Sequence, residues 1–148
     1  MSEKTDDDVK FFDIENVDNL KYFPRNLGNV FKNLELIFIL RSNLIEITSE
    51  DLKPFPKLKF LRLHGNSIEI IREDLFIHNP ELEAFSLDDN KIIHIDPKTL
   101  SHLNKLRSVG LSDNICKFNK SNAETRSEVL EVVKEIEQGK CQSPNLIN

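Results

Sequence analysis

A chain of 148 residues, 39% apolar and 30% charged, has the size and make-up of one ordinary globular domain. Its net charge of −5 and pI near 5.4 argue against non-specific binding to nucleic acid or to an anionic membrane. No stretch approaches the roughly 18 apolar residues of a membrane span. Residues 1–8 are polar, with Asp6, Asp7 and Asp8 in succession, and are expected to form a disordered tail. They hold no apolar secretory segment, so the chain is either cytosolic or one whose signal has been removed. Residues 9–33 carry Phe11, Phe12, Ile14 and Val17, then Leu20, Phe23 and Phe31, and read as an N-terminal capping unit.

Residues 34–115 are repetitive. Leu58, Leu61, Leu63, Asn66 and Ile68 return as Leu82, Phe85, Leu87, Asn90 and Ile92, then as Leu106, Val109, Leu111 and Asn114, always 24 residues on. A fixed period of this length means stacked structural units. Carried backwards, the asparagine position falls on Ser42 and then on Asp18. The Ser42 frame puts Leu34, Ile37, Ile39, Leu44, Ile47, Leu52 and Phe55 on apolar positions, whereas a frame on Asn43 would put Glu35 where Leu58 stands. The Asp18 frame fits downstream but fails upstream, where Lys10, Asp13 and Glu15 would occupy the strand's apolar positions. The first strand is therefore expected in a shifted phase.

Each unit predicts a short parallel strand with its leucines inward and a return arc of about a dozen residues, as parallel strands require. Pro54, Pro56, Pro80 and Pro97 lie in the arcs and disfavour long helices there. Turns and one-turn helices are expected. Where the chain leaves each strand, an asparagine amide can both donate to and accept from the backbone of adjacent turns. Ser42, Asn66, Asn90 and Asn114 thus form an expected ladder, with Ser42 able to satisfy fewer partners and an ionised Asp18 able only to accept.

In residues 116–148, Cys116 takes the place of Ile68 and Ile92. Ser121 or Asn122 offers an N-cap. Val129, Val132, Val133 and Ile136 then give a one-faced helix, with Gly139 as its C-cap. Such a helix should cover the exposed core of the last unit, as stacked repeats require. Cys116 and Cys141 suit one disulfide, two free or buried thiols being the alternative.

The pattern L-x-x-L-x-L-x-x-N-x-L resembles the leucine-rich repeat signature. Its 24-residue period is similar to the extracellular class found in adhesion proteins, Toll-like ectodomains and insect secreted immune proteins. The resemblance implies an α/β solenoid, a leucine-rich repeat horseshoe with a concave parallel β-sheet, irregular convex arcs and a C-terminal capping helix. It also implies a cap closed by a Cys116–Cys141 disulfide. The function it implies is protein–protein recognition outside the cell, in a secreted protein or receptor ectodomain and of innate-immune or receptor type. The full four-cysteine vertebrate cap and a cysteine-bearing N-terminal cap are missing. A cytoplasmic scaffold or regulatory subunit therefore stands as the alternative.

Strand alternation places the residues between the leucines on the concave face. The columns run Leu36, Phe60, Ala84, Ser108, then Phe38, Arg62, Ser86, Gly110, then Leu40, His64, Asp88, Ser112, and last Arg41, Gly65, Asp89, Asp113. Large apolar groups crowd the N-terminal half. Leu36, Phe38, Leu40 and Phe60, flanked by Arg41, Arg62 and His64, are the candidate partner-binding surface. The competing readings are burial of this patch beneath Phe11, Phe12 and Ile14, or dimerisation through it. Asp88, Asp89 and Asp113 form an acidic group that reads as a solvated face before it reads as a cation site. His94, Asp96 and His102 share one arc, with Pro97 breaking any common register.

There is no phosphate-binding glycine loop, no H-E-x-x-H and no nucleophile elbow. An enzyme is the remote alternative, and no metal or cofactor is expected. The partner expected is a protein, with no nucleic acid. Asn119-Lys120-Ser121 is a possible glycosylation sequon.

Overall fold

The computed structural model describes residues 3–143. Residues 144–148, at the end of the expected C-terminal cap, and Met1 and Ser2 of the expected tail lie outside them. Asp6–Asp8 form one 3-10 turn, and the Asn33 amide donates to the Asp7 carbonyl at 3.0 Å.

The strands β1 (Phe11–Glu15), β2 (Leu36–Leu40), β3 (Phe60–Arg62), β5 (Ala84–Ser86) and β7 (Ser108–Gly110) lie side by side in one parallel sheet. The one-turn helices α1 (Leu27–Val30) and α2 (Ser49–Leu52) lie in the first two return arcs. From β2 onward the register steps by one period, Leu36 beside Phe60, Ala84 and Ser108. Between β1 and β2 it pairs Phe11 with Leu36 and Ile14 with Ile39. The first turn is thus one residue longer, which is the physical basis of the shifted apolar phase. Phe12 and Ile14 turn towards the core, while Phe11, Asp13 and Glu15 are exposed.

The core is a stack of columns. Leu34, Leu58, Leu82 and Leu106 form one, and Ile39, Leu63, Leu87 and Leu111 another, all at 2% exposure or less. Each such leucine contributes about 1.5–3 kcal/mol by leaving water. A second, two-stranded parallel sheet was not foreseen: β4 (Ile70–Ile71) pairs with β6 (His94–Ile95) in the arcs, away from the main sheet.

The C-terminal end differs in detail from expectation. Asn122–Ala123 forms β8, which pairs antiparallel with β7 and covers that sheet edge. The helix α3 (Arg126–Glu137) therefore starts later than the sequence pattern placed it. Its N-cap is Thr125, whose hydroxyl accepts from the Glu128 N–H at 3.3 Å, and neither Ser121 nor Asn122 serves. Val129, Val132, Val133 and Ile136 are buried against the last repeat.

The helix ends in a Schellman arrangement. Gly139 (φ +92°) donates to Ile136 and Lys140 donates to the Glu135 carbonyl. Cys116 and Cys141 are disulfide-bonded, with Cα atoms 5.2 Å apart. The Ile95 N–H donates to the Cys141 carbonyl at 3.0 Å, so the stapled segment also extends the β4–β6 sheet. Lys120 pairs with Glu128 on the cap surface. The hydrogen bond between them raises the Lys120 pKa and lowers that of Glu128.

Candidate partner-binding face

The asparagine ladder sets the geometry of the concave strands. The Asn66 side chain accepts from the N–H groups of Ser42 and Leu44 at 3.1 and 3.0 Å, and donates to the Ile39 and Leu63 carbonyls at 2.7 and 3.0 Å. Asn90 accepts from Ile68 at 3.1 Å and donates to Leu63 and Leu87 at 2.9 and 3.0 Å. Asn114 repeats this with Ile92, Leu87 and Leu111. Ser42 does less: its hydroxyl donates to the Leu40 carbonyl at 2.8 Å and accepts from the Val17 N–H at 3.1 Å.

Asp18 is not the next rung. It is exposed, and Val17 meets Ser42 instead, because the first turn carries the extra residue.

Two polar anchors, one buried and one half-buried, escaped the sequence reading. The Asn79 amide, fully buried in its arc, donates to the Leu52 and Phe55 carbonyls at 3.0 and 2.9 Å. It stands one period after Phe55 and one before Leu103. A polar residue in an apolar column was the available signal. Arg126 closes the opposite end, donating to the Leu103 and Leu106 carbonyls at 3.1 and 2.8 Å. Nothing in the period marks it.

Leu36, Phe38, Leu40, Phe60 and His64 lie half-buried on the concave side, and Arg62 is exposed. Phe11 packs beside Phe38 edge-to-face, centroids 4.9 Å apart, and remains 48% exposed. The N-terminal strand thus extends the patch sideways and does not fold over it. Arg62 lies over the Phe38 ring at 4.9 Å. Arg41 is tied to the first turn, in an ion pair with Glu15 and a hydrogen bond to Asn16 at 3.4 Å.

The column Arg41, Gly65, Asp89, Asp113 has another meaning than a row of concave side chains. All four have positive φ, at 46°, 73°, 53° and 56°. They are the left-handed turn that ends each strand, where glycine and aspartate are tolerated best. Backbone conformation therefore accounts for Asp89 and Asp113.

Asp88 is engaged by hydrogen-bond donors. Its carboxylate accepts from the Ser86 hydroxyl at 2.5 Å and from the Ser112 N–H and hydroxyl at 2.8 and 2.6 Å. The Asn122 amide nitrogen reaches it at 3.1 Å in the orientation its surroundings require. Gly110 is needed beneath this carboxylate, since a Cβ there would stand 2.3 Å from Asp88 Oδ2. No group of three or more metal-ligating side chains converges among the described residues.

His94, Asp96 and His102 likewise serve separate ends. His94 is buried and its Nδ1 accepts from the Ser143 N–H at 3.4 Å. Asp96 accepts from the Lys98 N–H at 3.3 Å, and His102 Nε2 meets the Phe76 carbonyl at 3.3 Å. Asn119 is exposed in the loop before β8.

An open hollow of about 630 Å³ lies over the middle and C-terminal strands. Phe60, Arg62 and His64 line one side, and Ala84, Ser108 and Gly110 also line it.

Short parallel strands joined by irregular arcs, with an asparagine bridging adjacent turns from β2 onward, define a leucine-rich repeat solenoid. The family described as Leucine rich repeat matches residues 56–115, the segment that holds β3, β5 and β7. It is 38% identical over 61 residues to the Leucine-rich repeat-containing G-protein coupled receptor 5 of Xenopus tropicalis, covering 41% of this chain and 7% of that protein. It is 28% identical over 94 residues to Toll-like receptor 9 of Mus musculus, covering 64% of this chain and 9% of that one. The chain thus spans less than a tenth of these relatives. Its fold matches a crystal structure of a TLR13–ssRNA13 complex with TM-score 0.55 and 24% identity, over 62% of this chain and 14% of the other.

Proposed function

We propose that this chain is a protein-recognition module that binds its partner through the concave face, outside the cell. The observation that carries this reading is the exposed surface around Phe38 and Phe60. Leu36, Phe38, Leu40 and Phe60 lie on adjacent strands, only partly buried, with Phe11 continuing the patch and Arg62 stacked on it. Aromatic and arginine side chains on a rigid sheet are efficient anchors, because little side-chain entropy remains to be lost on binding. The disulfide supports an oxidising compartment, and likeness to receptors of Toll-like and leucine-rich repeat type supports recognition as the task.

The test uses the chain as bait for chemical cross-linking in extracellular fluid. Phe38→Asp and Phe60→Asp should each abolish capture of a partner that the unaltered chain takes. Ile45→Asp, on an exposed residue away from the concave strands, should leave capture unchanged. Circular dichroism checks that each variant is folded. Capture retained by both phenylalanine variants would move the site off this face.

A further inference from the structure

We infer that the hollow beside the aromatic patch receives a carboxylate next to an apolar side chain: the carboxylate on Arg62, the apolar group over Ala84, Ser86, Ser108 and Gly110. This deepens the concave-face reading and rests on it.

Charge pairing along this side of the solenoid points to the carboxylate. Arg41 holds Glu15, Lys59 holds Glu35 at 3.5 Å, and Arg107 holds Glu83 at 3.3 Å. Among the described residues Arg62 has neither an ion pair nor a hydrogen-bond acceptor; its one recorded interaction is with the face of Phe38. The ring orients the guanidinium while leaving its forked N–H donors free. Asp88, also in the hollow's lining, makes no ion pair with it; its oxygens accept from Ser86, Ser112 and Asn122. A guanidinium held over an apolar surface, with its donors unspent, is suited to a planar carboxylate.

The apolar half of the inference comes from size. Along one column the side chains shrink from Phe38 and Arg62 to Ser86 and Gly110, and along its neighbour from Leu36 and Phe60 to Ala84 and Ser108. The parallel sheet continues while its side chains become short, which opens the hollow. The close approach of Asp88 to Gly110 keeps a larger residue out of that floor. About 630 Å³ is ample for an aromatic or branched side chain. Glu124 also lines the hollow, and Arg107 in the same lining is already paired with Glu83, so the carboxylate of an incoming segment is directed to Arg62.

The experiment is selection of random displayed twelve-residue peptides on the immobilised chain, followed by affinity measurement on variants. Expected are peptides with Asp or Glu beside an aromatic or aliphatic residue. Their affinity should fall roughly tenfold or more in Arg62→Gln, as the loss of a charge-assisted hydrogen bond requires, with partial recovery in Arg62→Lys. Ser108→Trp, which fills the hollow, should abolish binding.

Peptides that lose binding in Ser108→Trp or Phe38→Asp but carry no acid, or ignore Arg62→Gln, overturn this inference and leave the concave-face reading standing. Peptides indifferent to Ser108→Trp, Phe38→Asp and Arg62→Gln together overturn both. A selection that yields no binder overturns the inference, and cross-linking capture then decides the broader reading alone.

Discussion

At the scale of the residue, the ladder shows how one side chain holds two turns. Asn90 supplies an acceptor to Ile68 and donors to Leu63 and Leu87, all within the buried interior. Asn90→Ala leaves these backbone groups without partners or water, at about 1–3 kcal/mol each before relaxation. Urea unfolding should show a loss of about 2–4 kcal/mol for this variant. Ser42→Ala should cost about 1 kcal/mol or less, because the Val17 N–H that it leaves lies at the exposed margin of the first turn. Equal losses in the two variants would mean that the ladder weakens nowhere along the stack. The rungs were legible in the sequence because a buried polar residue repeated at a fixed spacing. Asp18 was misread because the same spacing fails where one residue is inserted. Asn79 was missed because it occurs once, and the meaning of a single polar residue lies in the carbonyls that surround it.

At the scale of the element, the C-terminal cap is stapled at both ends. Thr125 and Gly139 set the limits of α3, four valine and isoleucine side chains bury its inner face, and the disulfide ties the segment after it to the last repeat. The helix was legible from its 3.6-residue period, but its start was not. Ser121 and Asn122 have N-cap chemistry, yet β7 presents an unpaired edge, and pairing with Asn122–Ala123 satisfies that edge first. The β4–β6 sheet was hidden for a similar reason, since two-residue strands leave no period to read. For a loop of 25 residues the bond limits the unfolded chain by roughly 3–4 kcal/mol. Cys116→Ser/Cys141→Ser should therefore lower unfolding free energy by about that amount. Hydrogen exchange should rise first in α3 and in the β4–β6 sheet, which the Cys141 carbonyl joins through Ile95. Faster exchange spread evenly over all repeats would show instead that the cap and the stack unfold as one unit.

At the scale of the whole molecule, the solenoid is uneven along its axis. The N-terminal strands carry the bulk of the apolar concave surface, the C-terminal strands carry small residues and the engaged Asp88, and the helical cap closes the far end. The sequence columns revealed the gradient because parallel registry places residues of one period side by side. They could not reveal which charges were engaged, since Arg41 finds Glu15 only through the shifted first strand and Asp88 finds Asn122 only through β8. The same geography assigns the sequon to the cap. Asn119 is exposed, its N–H donates to the Glu135 carboxylate at 3.1 Å, and it does not line the concave hollow. A glycan there would lie beside α3 and leave the aromatic patch open. Expression through a secretory route should give a mass increment that an N-glycan amidase removes and that Asn119→Gln abolishes. Partner capture should be the same in glycosylated, enzymatically trimmed and Asn119→Gln material. Unmodified Asn119 in secreted protein would show that the sequon is not used. Capture that depended on the glycan would draw the partner's footprint towards the cap and away from Phe38 and Phe60.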